Sequence, residues 1–196
     1  MSDILCVTNR KLCREDFLTR MERIARAKPA GIILREKDLS ESAYRALAAD
    51  VMGICRSYGV PCILHSFVHA AAALKAEAVH LPLPLLLQLG REDKARFSVL
   101  GASCHSVEEA KAAEANGCTY ITAGHVFETG CKAGLPGRGL AFLKAVCGSV
   151  SLPVYAIGGI GPGNIAGVRQ AGAKGACVMS GAMVCGDVQK YLGELR

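Results

Sequence analysis

The 196 residues predict an α/β protein folded as a single compact (β/α)8 TIM barrel, one domain over residues 1–196. Three observations carry this. Eight short β-rich runs alternate with amphipathic helical stretches. The runs are apolar almost throughout, as strands buried on both faces require. No linker or shift in composition divides the chain. Such a barrel falls short of the usual ~250 residues, so its loops must be short. A doubly wound open sheet is the alternative architecture. It would carry a Gly-rich phosphate loop after its first strand, and "VTNRKLC" has none.

The elements follow in order. Ile4 to Arg10 reads as the first strand, and apolar Phe17, Met21 and Ile24 mark the helix after it. Gly31 to Glu36 is the second strand, and Ser42 to Tyr58 a long helix closed by Gly59. Pro61 to Ser66 is the third strand, followed by an Ala-rich helix. "EAVHLP" is the fourth and Phe97 to His105 the fifth. The next helix carries a capping box, with Ser106 at its start and Glu109 three positions on, and Gly117 supplies its stop. "TYITAGHV" is the sixth strand, and Gly139 to Gly148 holds a helix. Leu152 to Ile160 is the seventh strand. A short helix in "GNIAGVRQAG" follows, with Pro162 placed to start it. Gly175 to Gly181 is the eighth strand, and a last helix runs to the C-terminus.

Composition removes several function classes. The formal charge is +6, but Lys and Arg are scattered and no aromatic residues are interleaved with them, which argues against nucleic-acid binding. The mild positive bias suits an anionic small ligand. No apolar run approaches the ~20 residues that span a bilayer, and "MSDILCVTNR" lacks the pattern of a signal peptide, so no membrane role is expected. Ten cysteines sit mostly inside apolar runs with no CxxC pair, which reads as reduced, buried thiols of a cytoplasmic protein. The run "PLPLLLQLG" fits a contact between two copies of the chain, as in a homodimer, and equally a face turned to the barrel.

In such a barrel the site lies where strands end and βα loops begin. The residues there are unusually polar: Thr8-Asn9-Arg10, Arg35-Glu36-Lys37, His65-Ser66, Ser103-Cys104-His105 and Gly124-His125. Gly158-Gly159 and Ser180-Gly181 close the last two strands, and small residues there let backbone N–H groups approach a phosphate. Asn164 stands nearby as a polar contact. Arg35 and Lys37 alternate along a strand end, so both cations face one side, toward the mouth.

Three of five histidines fall at strand ends, which raises a metal cluster, yet no HxH pair occurs and no carboxylate closes strands 3, 4, 6, 7 or 8. No metal is expected. His80 reads as a satisfied core or second-layer residue and His69 as a surface group. Cys104 and Cys131 are weak nucleophile candidates. His125 differs: Gly124 beside it leaves room for a planar ligand, and "FETGCKAGLPGRG" behind it suits a lid.

Over nearly its whole length the sequence resembles the thiamin phosphate synthase superfamily, and most closely its TenI-like branch of thiazole tautomerases. The likeness rests on "LREKDLS", "AVHLP", "LGASCHSVEEA", "GHVFETGCKAGLPGRG", "LPVYAIGGI" and "GACVMSG". It implies a (β/α)8 fold and a place in thiamin biosynthesis. The synthases need Mg²⁺, and their motif after strand 3 resembles "NDR"; here His65, Ser66 and Phe67 stand instead. A second acidic contribution after strand 4 is replaced by Pro82, Leu83 and Pro84. In the synthase loop, "GPxxPTxTK", Pro gives way to His125 and the second Thr to Cys131, while Thr129 and Lys132 remain.

The tautomerase branch implies a small phosphorylated thiazole as substrate, carboxylated and not yet aromatic, and needs no cofactor. One base removes a ring proton and returns it to the exocyclic carbon. Histidine suits this because its ordinary pKa, ~6.5, lies near working pH. By resemblance, His125 is that base, and Gly158, Gly159, Ser180 and Gly181 hold the phosphate. Arg35, Lys37 and Lys132 meet the carboxylate or the phosphate, while Ser103 and His65 line the ring pocket. A divergent Mg²⁺-dependent synthase and a non-catalytic barrel that binds a thiazole or thiamin phosphate are the other two readings.

Overall fold

The computed structural model describes residues 3–130 and 134–196. Eight parallel strands close a barrel in sequence order. They are β1 (Ile4–Val7), β2 (Gly31–Leu34), β3 (Cys62–His65), β4 (Ala78–Pro82), β5 (Val99–Cys104), β6 (Tyr120–Gly124), β7 (Val154–Ile157) and β8 (Gly175–Val178). The helices that connect them include α1 (Phe17–Arg26), α2 (Glu41–Tyr58), α3 (Val68–Ala73), α4 (Leu83–Gln88), α5 (Arg91–Lys94), α6 (Val107–Ala115), α7 (Gly139–Cys147), α8 (Ile165–Gln170), α9 (Ser180–Val184) and α10 (Val188–Gly193). The open-sheet alternative is excluded by the β1–β8 pairing, which joins Leu5 to Cys177 in register.

Strand periodicity divides the core into two layers. Leu5, Val7, Ile33, Ile63, Ala78, Tyr120 and Cys177 point into the barrel. Their neighbours Ile4, Cys6, Ile32, Leu34, Leu64, Val79, Ile121 and Ala176 face the helices. Among the described residues nine cysteines are free. No helix of the described residues is long and apolar enough to cross a membrane.

Several boundaries depart from the sequence reading. The first strand stops at Val7 rather than Arg10, because Asn9 accepts from the Lys11 N–H and opens a 3-10 turn at Arg10–Leu12. Only part of the capping box forms. Ser106 accepts from the Glu109 N–H, but the Glu109 carboxylate passes the cap and accepts from His105 N–H at 2.6 Å. Pro162 lies in a turn, and α8 begins three residues later. The "PLPLLLQLG" run forms α4, with Leu83 and Leu86 buried and Leu87 half exposed.

Candidate active site

The strand ends open onto one cavity of about 470 Å³. How the cations reach it is legible from β2 onward. Glu36 is buried and turns toward β1, where its carboxylate accepts from the Thr8 hydroxyl at 2.6 Å and from the Arg10 N–H. Thr8 in turn accepts from the Arg35 N–H. With Glu36 held on one side, its neighbours Arg35 and Lys37 fall on the other and line the cavity. Partial burial, and then Arg35 beside it, pull the Lys37 ammonium below the ordinary lysine range. Thr8, Asn9 and Arg10 do not line the cavity; Arg10 is spent on Glu36 and Asp38.

The next strands supply an inward row. Tyr44 of α2 donates to the Leu34 carbonyl and accepts from the His65 N–H, pinning the end of β3. His65 lines the cavity beside Ser103 and Thr122. Behind them His80 is buried between the Tyr120 hydroxyl and Ser103, both at 2.9 Å. Burial depresses both histidines, His65 to about 2, helped by His80, Lys37 and Arg35, and His80 to about 3. They stay neutral at any working pH. Cys104 faces the helix layer, and burial raises its thiol to about 12, so it does not serve as a nucleophile.

His125 follows β6 through a cis Gly124–His125 peptide, and its side chain is buried in the wall. Its Nε2 lies 3.1 Å from the Pro136 carbonyl and 3.4 Å from that of Leu135. Carbonyls only accept, so Nε2 carries a proton, and in the neutral ring Nδ1 is the nitrogen with the lone pair. That Nδ1 is buried without a partner among the described residues. The expected room beside Gly124 is taken: a Cβ there would meet the Ile157 carbonyl and side chain.

The glycines after β7 also have a packing reason. Gly158 and Gly159 have φ of +102° and +66°. A Cβ on Gly158 would strike His125, and one on Gly159 would strike the Glu128 carbonyl. The same close approach lets the Val126 N–H reach the Ile157 carbonyl and the Phe127 N–H the Gly158 carbonyl. Asn164 is not a spare polar contact: its side chain accepts from Gly161 N–H and donates to Gly159 O, bracing this turn.

Thr129, Gly158, Gly159, Ser180 and Gly181 line the cavity with Arg35, Lys37, His65, Ser103 and His125. These residues share one space, whereas Thr8, Asn9, Arg10 and Asn164 do not line it; Lys132 and Cys131 lie outside the described residues. Sequence reasoning missed Tyr120 and Thr122, which counting by two back along β6 from Gly124 would have flagged.

The lining does not fit Mg²⁺. Among the described residues Glu109 is its single carboxylate, already bonded to the His105 N–H and lying 3.2 Å from His105 Nδ1. No three His, Cys, Asp or Glu side chains among the described residues converge as a metal site. A dication wants several oxygen ligands, and this mouth offers cations instead.

Comparison with known proteins agrees with this architecture. The family model described as thiamine monophosphate synthase (TMP-TENI) matches residues 4–182. The thiamine-phosphate synthase of Clostridium acetobutylicum is 33% identical over 181 residues, covering 90% of this chain and 85% of its own. That of Fusobacterium nucleatum is 31% identical, covering 98% and 94%. The solved thiamine phosphate pyrophosphorylase of Pyrococcus furiosus superposes with a TM-score of 0.85 at 28% identity, covering 98% of this chain and 93% of that one. With a match across most of its length, the chain belongs to the thiamine monophosphate synthase family.

Proposed function

We propose that this chain is an enzyme of thiamine biosynthesis that acts on a phosphorylated thiazole, and that its chemistry is a metal-independent tautomerisation with His125 as acid and base. The observation that carries this is His125 in the lining of a cavity that also holds Arg35 and Lys37 and whose single lining carboxylate among the described residues is already engaged.

Each group then has a task. The Pro136 carbonyl holds the imidazole in the tautomer whose Nδ1 accepts a proton. Arg35 and Lys37 bind the carboxylate or the phosphate and so hold the ring in place. The turn at Gly158-Gly159 and the start of α9 at Ser180-Gly181 present backbone to the phosphate. The aromatic product supplies the driving force, so the protein's work is positioning and proton transfer.

A transferase reading has its own specific support. The relatives above carry the name thiamine-phosphate synthase, which favours Mg²⁺-dependent coupling over isomerisation. The two readings separate cleanly. Under the tautomerase reading, turnover of the thiazole tautomer survives chelator, and His125→Asn lowers its rate by about 10²-fold or more while product binding is kept. Mg²⁺-dependent coupling that His125→Asn leaves unchanged would replace this proposal by the transferase.

A further inference from the structure

We propose that a buried relay, Tyr120 to His80 to Ser103, fixes the direction of the Ser103 hydroxyl so that the cavity floor presents an obligate hydrogen-bond donor to the ligand. Its partner is an acceptor atom, a carboxylate oxygen or a ring nitrogen, an identity that rests on the thiazole reading above.

Register builds the relay. His80 on β4 pairs with Gly101 on β5, and Gly101 pairs with Tyr120 on β6. A Cβ on Gly101 would sit within the Tyr120 ring. The missing side chain lets the tyrosine cross the intervening strand, so its hydroxyl meets His80 Nδ1 at 2.9 Å. On the other side of the imidazole, Nε2 meets Ser103 Oγ at 2.9 Å, with Thr122 Oγ1 at 3.4 Å.

Two proton arrangements are conceivable, and burial selects one. The Tyr120 hydroxyl has no hydrogen-bond partner other than His80 among the described residues. If His80 Nδ1 carried a proton, the tyrosine O–H would be a buried donor with nothing to bond, which is costly. The tyrosine therefore donates to Nδ1, and the neutral ring carries its proton on Nε2. That proton is given to Ser103 Oγ. The serine's own hydrogen is left to point into the cavity that Ser103 lines. His80 remains neutral because it is buried, so the polarity holds across the working range of pH. His80 and Tyr120 act through Ser103 and are positioning residues.

Nitrogen-15 NMR of histidine-labelled, ligand-free protein tests this directly. His80 is expected to show a protonated Nε2 and a bare Nδ1, unchanged from about pH 5 to about pH 8. A proton on Nδ1 overturns the relay. Calorimetry with the aromatic thiazole carboxylate ethyl phosphate tests the consequence. Ser103→Ala should weaken binding by about tenfold, Ser103→Thr should restore it, and Tyr120→Phe should weaken it by a smaller factor. Unchanged affinity in Ser103→Ala overturns the donor. If the wild-type protein does not bind this probe, the thiazole reading fails, and the spectra still decide the relay.

Discussion

Along β3 to β6 the cavity wall is a row of polar side chains, His65, Ser103 and Thr122, backed by buried His80, whereas past β7 and β8 it is largely backbone, at Gly158, Gly159 and Gly181. The first wall works by what its side chains hold: His65 is bonded to Ser66 and His80 to Tyr120 and Ser103, and both histidines are kept neutral. The second works by what is missing. Its glycines let one loop lie against another, and that contact seats His125. Protonation should therefore perturb the first wall and added bulk the second.

The largest effect is expected on the glycine wall. Gly158→Ala puts a side chain at φ +102° and into His125. It should cost about 2–4 kcal/mol in urea unfolding and remove activity, while Ser103→Ala, which leaves the buried His80 Nε2 only the more distant Thr122 hydroxyl, should cost about 1–2 kcal/mol. Wild-type stability in Gly158→Ala would break the comparison.

Acid should act on the polar wall. His65 and His80 have folded values near 2 and 3 against ordinary values of 6.5. Below about pH 6.5 the unfolded chain takes up protons that the fold refuses, so stability falls as pH falls. Each histidine contributes a loss of about 1.4 kcal/mol per pH unit, which levels off at its folded value. Urea titrations between about pH 7 and about pH 4.5 measure this. A flat profile would mean that the histidines are charged in the fold. The smallest effect belongs to neither wall: Lys37→Met at the mouth should raise KM for the phosphorylated thiazole about tenfold with kcat kept, the mark of uniform binding.

Much of this was legible in the sequence because strand ends are where a parallel barrel displays chemistry. Counting by two from Arg35 to Lys37 placed both cations without coordinates, and the apolar runs gave the barrel. What stayed hidden depends on register between distant strands. Nothing local says that Tyr120 reaches His80 forty positions earlier, because the reason is the absence of a side chain at Gly101 on the strand between them. Asn164 misled for a related reason: its amide is consumed by the turn that it closes, a fact set by backbone conformation. The family too was readable from motifs, while the choice between coupling and isomerisation turns on a few substituted positions around His65, Pro82 and His125.

The segment that leaves the barrel after His125 returns to the same place. Arg138 N–H bonds to the His125 carbonyl and Gly139 N–H to that of Val126, while Val126 and Phe127 are stitched to β7 and the turn after it. Departure and arrival are thus riveted to one short piece of chain. Loosening either anchor would therefore move the imidazole without touching its ring.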